Sequence, residues 1–89
     1  MNPVIQRRVY QMGTVDQAKK MAEIGGMLPE ETEAFLMLHS GKKEKYIMDY
    51  LGMTEKTYAN VESAICAKFT VAVFQCICFA IDHMNEELT

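Results

Sequence analysis

The residues whose types could support chemistry are three cysteines, two histidines and a scatter of lysines and hydroxyls. Cys66, Cys76, Cys78 and His83 are grouped as a metal set would be. On a helix, however, Cys76 and Cys78 point about 200° apart, and no Cys-x-x-Cys pair is present. They read as buried structural thiols. His39, at an expected helix end, suits a cap or a contact with the helix dipole, because no nearby motif supplies the nucleophile or acid partner that catalysis needs. There is no Gly-rich phosphate loop, nucleophile elbow or paired-acid motif. The sequence predicts neither an enzyme nor a bound metal or cofactor.

A second group has a different chemistry. Lys42, Lys43, Lys45 and Lys56 are interleaved with the hydroxyls of Thr54, Thr57 and Ser63 and with the carboxamide of Asn60. Ammonium and hydroxyl groups suit phosphate oxygens, and a carboxamide suits a base edge. Such a set reads duplex DNA only if one helix presents it, so the elements that position it decide its meaning.

Those elements are punctuated as short helices. Val4 to Met12 follows Pro3 and stops at Gly13. Thr14 with Gln17 has the spacing of a capping box, and Gly25-Gly26 closes that helix after Ile24. Pro29 followed by Glu30 and Glu31 starts the next, and Gly41 ends it. Lys42 to Leu51 carries Ile47 and Leu51 on one face and ends at Gly52. From the Thr54 cap onward there is no Gly or Pro, and Tyr58, Val61, Ile65 and Phe69 recur at helical steps. Between Phe69 and Ile81 only Thr70 and Gln75 are polar, and the β-branched Val71, Val73, Ile77 and Ile81 offer a buried strand as the competing assignment. A lone strand would lack partners, so a helix is expected. The fold class predicted is all-α, a small helical domain of five helices with a long apolar C-terminal helix and no sheet.

Helix, glycine turn and capped helix at this spacing form a helix-turn-helix. Ile47 and Leu51 bury the first helix, Gly52 permits a left-handed turn, Met53 plugs the corner, and Tyr58 and Val61 bury the second. The outward positions of that second helix are then Glu55, Lys56, Ala59, Glu62 and Ser63, with Asn60 at their edge. From Leu28 to Phe69, about half of the chain, the sequence resembles LuxR-type and sigma-factor region-four DNA-binding domains. The matching residues are Glu33, Phe35, Leu38, Gly41, Ile47, Leu51, Gly52, Thr54-Glu-Lys-Thr57, Asn60, Ile65 and Lys68-Phe69. The resemblance implies that the helix from Glu55 to Phe69 enters the major groove. Met48 stands where that family has a small residue and Ala59 where it has a basic or polar one. Leu36 and Tyr46 replace polar residues, which implies that the N-terminal helices or the tail cover that face.

Composition bounds the rest. With 89 residues, 49% hydrophobic and 24% charged, the chain is one globular domain. It divides into an N-terminal helical extension (1–26), a helix-turn-helix core (27–69) and a C-terminal oligomerisation helix (70–89). The net charge of −3 excludes a basic surface throughout, although 41–69 has five basic against four acidic residues. A domain this small buries only about 60–65% of its unfolded surface. A tail apolar on every face therefore points to a homodimer or higher oligomer through Phe69, Val73, Phe74, Ile77 and Ile81. The thirteen-residue, nearly continuous apolar stretch spans about 20 Å, short of a bilayer crossing, so no membrane partner is expected. An odd cysteine count and no signal-peptide run from Met1 to Val15 suggest the reducing cytoplasm. The function expected is a small DNA-binding transcriptional regulator acting as a dimer. The alternative, favoured by Met48 and Ala59, is an interaction module binding a transcription component or another regulator.

Overall fold

The computed structural model describes residues 8–88. The first helical segment, α1, is seen at residues 8–10 and ends there rather than at Met12; the start expected at Val4 lies outside the described residues. α2 (Val15–Ile24), α3 (Pro29–His39), α4 (Glu44–Leu51) and α5 (Glu55–Leu88) follow, with no strand among the described residues. The fold is all-α, and the competing strand over the tail is not formed: α5 runs unbroken for 34 residues, roughly 50 Å at 1.5 Å per residue.

The caps form as the side chains dictate. Thr14 accepts the Gln17 N–H at 3.1 Å while Gln17 Oε1 accepts the Thr14 N–H at 2.9 Å, a reciprocal box that satisfies two orphan donors. Pro29 opens α3, and Glu31 reaches back to accept the Leu28 N–H at 2.9 Å.

One face of α5 is the keel of the core. Tyr58, Val61, Ile65 and Ala72 recur on the helical period and are buried. Tyr58, Val61 and Ile65 pack in one cluster with Ala18 and Ala22 of α2 and Ala34, Phe35 and Leu38 of α3, whose alanines let the backbones approach. Tyr10 stands edge-on to Phe35 at 5.5 Å and to Phe69 at 5.0 Å, the geometry aromatic quadrupoles prefer. His39 Nδ1 lies 2.8 Å from the Tyr10 carbonyl. A carbonyl only accepts, so Nδ1 carries the proton and ties α3 to α1 rather than capping its own helix.

The tightest junction is at Lys68. A Cβ on Gly25 would lie 2.4 Å from the Lys68 carbonyl oxygen, so only glycine lets the end of α2 sit on α5. The Lys68 ammonium donates to Glu31 Oε1, which also accepts from Leu28. Burial alone would push the Glu31 carboxyl up. The Lys68 hydrogen bond, the Leu28 N–H and the Lys68 charge outweigh it and hold the carboxyl below its ordinary value.

Among the described side chains, Ala72 is the last buried position of α5. Beyond it α5 touches α2 only along one edge, at Cys76, and Phe74, Ile77, Phe79 and Ile81 are more than half exposed, so the tail does not thread the chain's own core.

Two outcomes check this packing. Gly25→Ala is expected to lower stability in urea denaturation by about 1–3 kcal/mol through overpacking, whereas Lys19→Ala on an exposed face stays within about 0.5 kcal/mol; equal midpoints would contradict the close approach. Because the Glu31 pKa is depressed on folding, its contribution is complete above the ordinary value of 4.5 and is lost as pH falls through the folded value. Glu31→Gln should cost about 1–2 kcal/mol at neutral pH, with the gap to wild type closing in acid; a gap independent of pH would show that Glu31 acts by packing alone.

Candidate nucleic-acid interface

The turn is built by its glycine. Gly52 has φ of +66°, a left-handed conformation that a side chain strains. Its N–H and that of Met53 both bond to the Met48 carbonyl, the latter at 2.9 Å, which closes α4 as a glycine C-cap does. Thr54 then caps α5: its hydroxyl accepts the Thr57 N–H at 3.2 Å and donates to Thr57 Oγ1 at 3.0 Å. The Thr54 proton is thereby engaged, and of the two hydroxyls Thr57 keeps its proton for an outside acceptor.

Lys56, Thr57, Asn60 and Ser63 are all exposed on α5, and Tyr58, Val61 and Ile65 anchor the opposite side. Glu55 and Ala59 are exposed beside them, and Glu62 is half-buried. Lys42 and Lys43 lie just before α4 rather than inside it, Lys43 being its extended N-cap, while Lys45 is in the first turn. All three lysines are exposed. α4 packs chiefly on α3, and Met48 is part-buried against the core.

An aromatic pair beside these lysines escaped the sequence reading. Tyr46 and Tyr50 are near-parallel, 10° apart in plane with centroids at 6.3 Å, and the Lys42 ammonium stands 5.1 Å over the Tyr46 ring, a cation–π contact. The signal was there in the four-residue step from Tyr46 to Tyr50, which places both rings on one side of α4; Lys42, ahead of the helix, reaches over the first of them. With Glu33, Leu36 and Met37 they line a groove of about 300 Å³. This corrects the expected cover over Leu36 and Tyr46: Leu36 is half-buried and Tyr46 is 50% exposed, because α1, α2 and the tail gather on the far side of α3.

The residues expected at an oligomer interface divide in two. Phe69 is part-buried in the chain's own aromatic cluster with Tyr10 and Phe35, and Val73 is half-buried above a cleft shared with Val9, Cys66 and Phe69. Phe74, Ile77 and Ile81 are 66%, 53% and 52% exposed. The thiols are not the buried structural groups expected. Cys76 and Cys78 are exposed and Cys66 is half-buried, because burial had assumed a covered tail. Cys76 Sγ lies 3.8 Å from Met21 Sδ on α2. Among the described residues, no group of three His, Cys, Asp or Glu side chains is placed to hold a metal ion. The stretch Glu55–Asp82 is also long and apolar enough to cross a membrane, with a mean hydropathy of 2.0 in its most apolar window.

No protein-family model matches the chain, and no curated protein and no solved structure is similar to it.

Proposed function

We propose that this protein is a small DNA-binding transcriptional regulator of helix-turn-helix type that acts as a homodimer. The observation that carries the reading is the first third of α5: a capped, outward-facing run of Lys56, Thr57, Asn60 and Ser63, with three exposed lysines preceding or opening α4. The likeness to LuxR-type and sigma-factor region-four domains supports it, since the matched positions fall on α3, the Gly52 turn and α5. Lysines and the Thr57 hydroxyl serve phosphates, and Asn60 serves a base edge. Tyr46 and Tyr50 extend the polar rim with two further hydroxyls.

The exposed half of α5 supports the dimer. Val71, Phe74, Ile77, Phe79, Ile81 and Met84 are each about half exposed or more. Counting roughly 150–250 Å² for a whole aromatic, they leave on the order of 600 Å² of apolar surface in water, the upper end of what a monomer ordinarily shows. A bilayer fits less well. Lengthening the apolar span of the tail toward the roughly 20 residues a membrane needs would pull Ile65, Phe69 and Lys68 from their partners. One observation favours a second reading, a protein-binding module: the Tyr46–Tyr50 groove is apolar and open.

Fluorescence anisotropy with random duplex DNA at low and physiological salt tests the first reading. Lys56→Ala should weaken binding to all sequences and reduce the salt slope by about one unit, while Asn60→Ala should cost about 1–3 kcal/mol at one base position. Absence of duplex binding at low salt overturns the DNA reading in favour of the protein-partner one. For the dimer, Phe74→Asp should turn a dimer into a monomer by light scattering at micromolar concentration with its helical circular dichroism retained. A wild-type monomer in solution, or recovery of the wild type in the membrane fraction, overturns it.

A further inference from the structure

The exposed side of α5 has a repeat of its own. Val71, Phe74, Cys78 and Ile81 follow three-four-three spacing, the a and d positions of a heptad, and all are exposed. At 100° per residue they cluster within about 70° of the direction opposite the buried Ile65 and Ala72. The same arithmetic puts Lys56, Asn60, Ser63 and Ala67 on that side, and these too are exposed. One continuous helix therefore carries the polar reading set and the apolar seam on the same face, in succession, with the folded domain on its back.

We infer that a second copy of this chain pairs with the first through this seam in parallel, so that the two helices run together from Val71 onward and fork toward their Glu55 ends around a single duplex. The inference rests on the DNA reading and specifies its geometry. Three observations choose this occupant. The spacing, one and a half heptads long, is that of a two-helix seam, and the domain leaves it open: α2 lies on the side of Cys76 and Phe79, and Val9 of α1 reaches only the flank at Phe74 and Ile77. With Ile77 and Met84 flanking it at g positions and Phe79 left outside at b, the seam offers on the order of 500 Å² of apolar surface per copy, against the ~800 Å² that each partner gives to a standard interface. Finally, a shared face makes parallel and antiparallel pairs differ sharply. In a parallel pair the two reading faces confront each other across the axis, with the duplex between the arms, as continuous basic-region helices grip DNA. In an antiparallel pair centred near Gln75, the two Asn60 positions lie about 45 Å apart at opposite ends, a distance that matches neither one helical turn of DNA nor two.

Cys78 makes the orientation measurable. At an a position of a parallel pair it meets its own counterpart, within reach of a disulfide. In an antiparallel pair it meets a d residue of the other copy, Phe74 or Ile81, and Cys76 points back toward Met21 in either case. The experiment treats the full-length protein with a diazene oxidant, which accepts two electrons and two protons from a pair of thiols to give the disulfide and a hydrazine. The Cys66→Ser/Cys76→Ser variant, which keeps only Cys78, should convert to a covalent dimer of doubled mass on non-reducing gels. Cys78→Ser should lose that band under the same treatment, with both variants dimeric by light scattering. The oxidised dimer should hold duplex DNA at least as tightly as the reduced one at 1 nM protein, where a non-covalent dimer dissociates. A dimer in solution that does not crosslink through Cys78, or that crosslinks through Cys76, overturns the parallel seam and leaves the dimer standing. A monomer in solution overturns both. Crosslinking through Cys78 without any duplex binding at low salt upholds the seam and overturns the DNA reading.

Discussion

Everything in this fold converges on one turn of α5, at Lys68. Its carbonyl takes the backbone of Gly25 at a distance no side chain allows, its ammonium is held by Glu31, and the next residue, Phe69, completes the Tyr10–Phe35 cluster. The end of α2, the start of α3 and the terminal part of α1 are thereby fastened to a single point on the longest helix. An ion pair with the carboxylate largely buried and the ammonium partly exposed is weak as a source of net stability. Its use here is in register: Glu31 also satisfies the Leu28 N–H, so the direction in which α3 leaves its loop is tied to the phase of α5.

That convergence has a geometric cost. Three short helices of 8 to 11 residues can cover one side of a 34-residue helix over only part of its length. Past Ala72 only the edge of α2 reaches the helix, at Cys76, and most of the described apolar side chains there are at least half exposed. The same limitation frees the face opposite the core along all of α5, including the stretch before Lys68 where that face is polar. Exposure at both ends thus has one origin, the one-sided packing of a helix longer than its scaffold.

What the sequence made legible were the local decisions. Thr14, Pro29, Gly52 and Thr54 each act through residues within four positions, so their caps and turns could be read directly, and the buried spacing of Tyr58, Val61 and Ile65 follows from period alone. Long-range pairings left no such trace. Glu31 and Lys68 are 37 residues apart, and in sequence each looked like an ordinary helix charge. Gly25 read as a terminator; its close contact with Lys68 is invisible until α2 is laid on α5. The candidate site was legible in its membership, since the lysines, hydroxyls and Asn60 are all on the surface, but not in its surroundings. The stacked tyrosines and the bare thiols depend on where the other helices are not, and the position of a gap is a property of the whole packing.

Helical continuity then joins the two exposed regions. Between Glu55 and Leu88 no glycine, proline or loop absorbs rotation, so the angle between the Lys56–Asn60–Ser63 set and the Val71–Phe74–Cys78–Ile81 stripe is fixed at 100° per residue. In a two-domain regulator, a linker would let reading head and dimer contact find their own relative orientation. Here they cannot, and the domain clamped at Lys68 sits midway, holding the helix from behind. Pairing of the apolar stripe, in the geometry we propose, would set the direction of the reading face without any moving part. The Lys68 clamp is then more than a fastening for the core, because any change of helical phase at that turn would rotate one functional surface against the other.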